Sequence, residues 1–123
     1  MISLILMLLA GIFNAIMDVL DFHYDISIFT SWHNQNWINP AISWRNKWKN
    51  GDPNQGERFF GSSTIFVFIT DLWHFCKFLM MISVCCAIVF YNPLIFWWTD
   101  IIFLLTIYSI VFEIFFSKIL IKP

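Results

Sequence analysis

The sequence predicts an all-α integral membrane fold, with three transmembrane helices and one long Trp-rich interfacial loop in a single membrane domain over residues 1–123. Three observations carry this. Hydrophobic residues make up 59% of the chain and charged residues only 12%, against about 25% charged in a soluble domain. A chain of 123 residues also buries too small a share of its surface to hide so many Phe, Ile and Trp side chains from water. Finally, the apolar residues gather into three runs, each long enough to cross about 30 Å of hydrocarbon at about 1.5 Å per residue. None of the three shows the period-2 alternation of a spanning strand.

The first run is MISLILMLLAGIFNAIMDVL, residues 1–20. It lacks a basic leading segment and a small-residue cleavage site, and Asn14 and Asp18 sit where such a site would fall. It therefore reads as a retained helix rather than a signal peptide. No breaker follows Gly11 until about Ser31, so the helix is expected over about 2–30. The loop, about 31–61, holds most of the turn residues and four of the seven basic residues. The second run, TIFVFITDLWHFCKFLMMISVCCAIVFY, predicts a helix over about 62–91 that opens at Gly61-Ser62-Ser63. YNPL follows, with Pro93 suited to the first position of a third helix over about 93–120. So short a connection makes the last two helices an antiparallel hairpin.

Lys and Arg counting sets the orientation. With three crossings, the loop and the C-terminal end share a side, and that side carries Arg45, Lys47, Lys49, Arg58, Lys118 and Lys122. The opposite side, with Met1 and the Asn92 turn, carries none. A multi-pass protein of the cell (inner) membrane with its loop and C-terminus cytoplasmic is expected. Trp32, Trp37, Trp44 and Trp48 then form an aromatic belt on the cytoplasmic side, with Trp97 and Trp98 opposite. The formal net charge of -1 says nothing about nucleic acid, but there is no basic arm or nucleic-acid motif, so no nucleic-acid partner is expected. Cys76, Cys85 and Cys86 read as buried thiols acting as small hydrophobes.

The polar residues of the three runs converge in depth. Measured from the outer ends at 1.5 Å per residue, Asn14 lies about 20 Å down, Asp18 about 26 Å, His74 about 25 Å and Lys77 about 21 Å. On the same rise Asp71 lies about 30 Å down and Glu113 about 28 Å, whereas Asp100 is only roughly 9 Å below the outer end. Asn14, Asp18, Asp21 and Asp25 are spaced to share one helix stripe, and Asp71, His74 and Lys77 another. A charge at the centre of a spanning helix costs about 2.5–3.5 kcal/mol, so these side chains are expected to face each other or water. Carboxylates suit magnesium or manganese and an imidazole suits zinc. Asp18, Asp21, Asp71 and His74 are the expected metal ligands, with His74, Asp71 and Glu113 as the catalytic candidates. The competing reading is a salt-bridge network of Asp18 or Glu113 with Lys77 that holds the helices together. His23 and His33 read as interfacial or solvated.

The loop supplies a second candidate. Backbone amides and hydroxyls at Gly61-Ser62-Ser63 favour an anion if a helix begins there, and Lys47 and Arg58 add charge-assisted hydrogen bonds. Lys47, Arg58, Ser62 and Ser63 are therefore the expected phosphate-binding residues, on a phosphate-bearing lipid. The competing reading is plain anchoring of Trp and basic residues to an anionic leaflet.

The segments NAIMD, NPAISWRNKWKNGDP and FFGSSTIFVFITDLWHF resemble a pattern of small, uncharacterised bacterial multi-pass membrane proteins over roughly residues 10–80. No activity attaches to that group. The resemblance implies a bacterial inner membrane and no site residue.

Three functions follow as expectations. The first is a metal-dependent membrane enzyme acting on a phosphate-bearing amphipathic substrate. The second is an oligomeric, holin-like pore or transporter, since three helices leave little room for a large site and favour a homo-oligomer. The third is a structural membrane subunit in which the polar cluster is interhelical glue.

Overall fold

The computed structural model describes residues 1–123 and is all-helical, with three helices long and apolar enough to cross a membrane. In chain order the α-helices are α1 (Ile2–Phe22), α2 (Gln35–Ile38), α3 (Pro40–Ser43), α4 (Leu72–Val89) and α5 (Trp97–Ile114). A π-turn, Phe115–Ile119, prolongs α5.

All three long helices are shorter than the helices expected from the sequence, and each boundary has a local cause. α1 stops at Phe22 rather than near residue 30. Beyond it, the Ser27 hydroxyl donates to the Tyr24 carbonyl (2.7 Å) and accepts from the Phe29 amide (3.3 Å), which offers the backbone a turn in place of a helix. The chain then folds into two 3-10 turns, Tyr24–Ile26 and Ile28–Ser31, and pairs with the C-terminal end: the Ile28 amide donates to Leu120 (2.9 Å) and the Lys122 amide to Ile26 (2.8 Å).

α4 begins at Leu72 rather than near residue 62. Asp71 is its N-cap, accepting from the His74 amide at 2.9 Å. That contact satisfies one of the donors that every helix start leaves free. The preceding stretch is turn-rich and β-branched, and such residues resist helix; it forms turns and a 3-10 segment, Val67–Ile69. α5 begins at Trp97, not at Pro93. Residues 91–96 form a connection buckled by Asp100, which accepts from the amides of Leu94 (2.7 Å) and Ile95 (3.3 Å) and from the Tyr91 hydroxyl (2.7 Å). That hydrogen bond to Asp100 raises the Tyr91 phenol above its usual pKa.

α1 is the central helix. α4 and α5 both pack against it and scarcely against each other, so the expected hairpin is open. Small residues allow this approach, since Ala10 and Ala15 are fully buried and Gly11 is buried beside them. At the Met1 end, Ser3 ties α1 to α4 by donating to the Ala87 (2.9 Å) and Phe90 (3.1 Å) carbonyls. There the open hairpin leaves a cavity of about 460 Å³ lined only by apolar side chains, Val84, Ile88, Ile101 and Leu105 among them. The core sits at the opposite end, where Ala15, Val19, Leu20, Phe29, Ile38 and Leu120 meet. Phe29 enters it from a 3-10 turn, so the loop folds under the helices. Burying a side chain of that size contributes about 1.5–3 kcal/mol. By contrast, 6% of the apolar window that ends the chain, Trp97–Ile119, is buried within the protein.

Candidate functional site

The polar residues near the start of α4 form two linked features. The first is an Asp–His pair. Asp71 is 3% exposed. Besides the His74 amide, its carboxylate accepts from the Thr70 hydroxyl (3.1 Å) and lies 2.8 and 2.9 Å from His74 Nδ1. A carboxylate only accepts, so Nδ1 carries the ring hydrogen and Nε2 is left as the basic nitrogen. The imidazole is held in orientation and stays partly exposed. The Asp71–His74 contact is the only one within 4.0 Å between a basic side chain and a carboxylate in the structure. The second feature is a bond between helices, in which the Trp73 indole N–H donates to Asp21 of α1 at 2.9 Å.

The expected metal centre does not assemble. No three of the His, Cys, Asp and Glu side chains converge in a geometry that holds a metal ion. Asp71 and His74 meet, but Asp21 is engaged with Trp73 and Asp18 makes no hydrogen bond to either. The acidic stripe is broken because α1 ends at Phe22 and Asp25 falls in the turn beyond it. Glu113 is exposed on α5 and contacts none of the others.

The expected Lys77 salt bridge is also absent. Its ammonium lies over the Trp73 ring at 5.0 Å, a cation–π contact. His33 is exposed, and His23 packs against Phe116 with ring centroids 5.1 Å apart. Of the three thiols, Cys76 alone is buried, while Cys86 is intermediate and Cys85 exposed.

The anion cradle at Gly61-Ser62-Ser63 exists, but the chain fills it. Glu57 accepts from the Gly61 amide (2.9 Å), the Ser63 amide (3.1 Å) and the Ser63 hydroxyl. The Ser63 hydroxyl and these two amides hold the Glu57 carboxyl below its usual pKa. The Ser62 hydroxyl is buried and donates to the Lys47 carbonyl at 2.7 Å. Neither serine is free for a ligand. The Lys47 ammonium rests 6.0 Å from the Trp48 ring. Of the four expected phosphate residues, Arg58 lines two open cavities of the loop. Sequence reasoning missed three groups: Glu57 as the cradle's anion, Trp73 as a donor between helices, and Arg45 beside Arg58. Only the first had a visible signal, an acid four residues before a Gly-Ser-Ser turn.

No family model matches the chain, and no curated protein or solved structure is significantly similar to it. The likeness to small bacterial membrane proteins gains no support from these comparisons.

Proposed function

We propose that the chain is a structural membrane subunit whose polar layer fastens its own helices. One observation carries this reading: the side chains around the start of α4 are already engaged with the fold. Asp71 caps α4 and orients His74, Trp73 reaches across to Asp21, and no buried side-chain N or O lacks a hydrogen-bond partner. Of these contacts the Trp73–Asp21 bond is the link between helices, and the Asp71–His74 pair fixes the start of α4 that carries Trp73. On positive-inside counting, the subunit lies in a cell membrane with the 31–61 loop and the C-terminal end cytoplasmic, and the Trp-rich loop seats at that surface.

The test is the pair of swaps Asp71→Asn and His74→Gln in detergent-solubilised protein. Fastening requires that each lowers the unfolding midpoint. Unchanged stability in both would remove the reading.

A second reading is favoured by the Asp71–His74 geometry alone. A carboxylate-oriented imidazole with a free Nε2 suits general acid–base work at the membrane surface, on a phosphate-bearing amphipathic substrate. It predicts turnover of such a lipid that His74→Gln abolishes while stability is retained.

A further inference from the structure

The chain has only two arginines, Arg45 and Arg58. Both line one cavity of about 230 Å³ in the loop, whose remaining walls are Asn46, Trp48, Asn50 and Gly51. We propose that this cavity is a binding site for a phosphate group, presented by an anionic lipid headgroup. The proposal does not depend on what the polar layer around α4 does.

Charge accounting inside the loop supports it. Between residues 31 and 63 the sequence has two acids, Asp52 and Glu57, and four cations. Both acids are engaged within the loop. Asp52 accepts from the Asn54 amide (2.9 Å) and from Gln55 (3.3 Å), and Glu57 occupies the Gly61–Ser63 cradle. No carboxylate lies within ion-pairing distance of Arg45 or Arg58. Two guanidiniums on one cavity repel each other, and an anion between them relieves that repulsion. Phosphate suits them because the planar guanidinium fork donates two parallel hydrogen bonds to its oxygens.

The site is built rather than accidental. Trp48 and Glu57 form an antiparallel bridge, with the Arg58 amide donating to Lys47 and the Lys49 amide to Gly56, each at 3.0 Å. The turn between them needs positive φ at Asn50 (53°), Gly51 (75°) and Gly56 (83°). That reversal sets Gly51 against the Arg45 side chain, so a Cβ there would lie 3.5 Å from the Arg45 Cβ. The Arg45 guanidinium is further located 5.4 Å from the Trp44 ring. Asn46 locks this frame to the start of α4 by donating to the Asn36 (2.7 Å) and Thr70 (2.9 Å) carbonyls. Next to the two arginines in the chain, Trp44, Phe59 and Phe60 are exposed, the last at 85%. Large apolar side chains beside cations are what an anionic leaflet receives, which favours a lipid as the source of the phosphate.

The test uses full-length protein in phosphatidylcholine nanodiscs, read by the two arginine Nε–H NMR signals. Phosphatidic acid added to the disc should shift both signals. Inorganic phosphate in the buffer is the second arm. A shift of both signals with lipid alone supports the proposal as stated. Equal shifts with inorganic phosphate keep the anion site and overturn the lipid source. No shift with either overturns the site. Native mass spectrometry gives the independent readout: Arg45→Gln with Arg58→Gln should reduce retained phosphatidic acid roughly tenfold or more, as expected on losing charge-assisted bonds. Lys49→Gln, which removes a loop cation outside the cavity, should leave retention unchanged. If Lys49→Gln reduces it as much as the arginine pair, binding is diffuse surface charge and the cavity assignment is wrong.

Discussion

Gly11 of α1 lies against the backbone of α5, so that a Cβ on Gly11 would stand 2.8 Å from the Tyr108 carbonyl oxygen. Only glycine permits that approach. Because α5 leans on α1 rather than on α4, this contact bears on the whole position of α5. Gly11→Ala forces backbone apart and is expected to cost about 1–3 kcal/mol, the usual range for overpacking. Unfolding in detergent, followed by helical circular dichroism, measures it, and a wild-type midpoint would show that α5 is not held there.

Asp100 is the buckle of the α4–α5 connection. It is 2% exposed and accepts from two amides and a hydroxyl. Asp100→Ala leaves those donors without a partner, at about 1–3 kcal/mol for each one that stays buried. Amide hydrogen exchange at Leu94 and Ile95 should accelerate markedly, while exchange in the middle of α1 should not change. Protected amides in the variant would mean that the connection is held by something else.

Glu57 gives the loop a dependence on acid. Its carboxyl is held below the ordinary glutamate value of 4.5 by the Ser63 hydroxyl and the Gly61 and Ser63 amides. A depressed folded pKa means that the stabilisation is fully present above the unfolded value and is lost as pH falls through the folded one. The Gly61–Ser63 turn should therefore loosen only at a pH below 4.5. Exchange at the Gly61 and Ser63 amides reports it, and Glu57→Gln should remove most of the pH dependence. A transition above that value would point to a different group.

The number and order of the long helices were legible in the sequence, because runs such as MISLILMLLAGIF have one stable solution in an apolar solvent. Their ends were not. Hydropathy continues through Ile26, Ile28, Ile65 and Ile95 without a break, while the helices stop for local hydrogen-bond reasons set by Ser27, Asp71 and Asp100. Asp71 in TDLWHF had the composition of an N-cap and was hidden by its apolar flanks. Depth counting brought Asp18 and the α4 residues to one level, whereas the bond between helices is made by Asp21, which was placed only on the α1 stripe, and by Trp73. Depth says nothing about azimuth, which is why Glu113 was expected in a cluster it does not join, and the shared stripe of Asp71, His74 and Lys77 did not show that the Lys77 ammonium turns onto the Trp73 ring. The anion cradle at Gly61-Ser62-Ser63 was legible as chemistry. Its occupant was not, because the backbone reversal that brings Glu57 back is a matter of turn geometry.

The most direct test of fastening is a double-mutant cycle on Asp21 and Trp73, using Asp21→Ala, Trp73→Phe and the combination, with stability measured by reversible unfolding in micelles. Hydrogen bonds between helices in apolar surroundings average about 0.6 kcal/mol of coupling and reach about 1.7. A polar layer that fastens α1 to α4 predicts a favourable coupling in that range, with the double variant less destabilised than the two single effects added together. Strictly additive effects, or stability unchanged by either substitution, would contradict it.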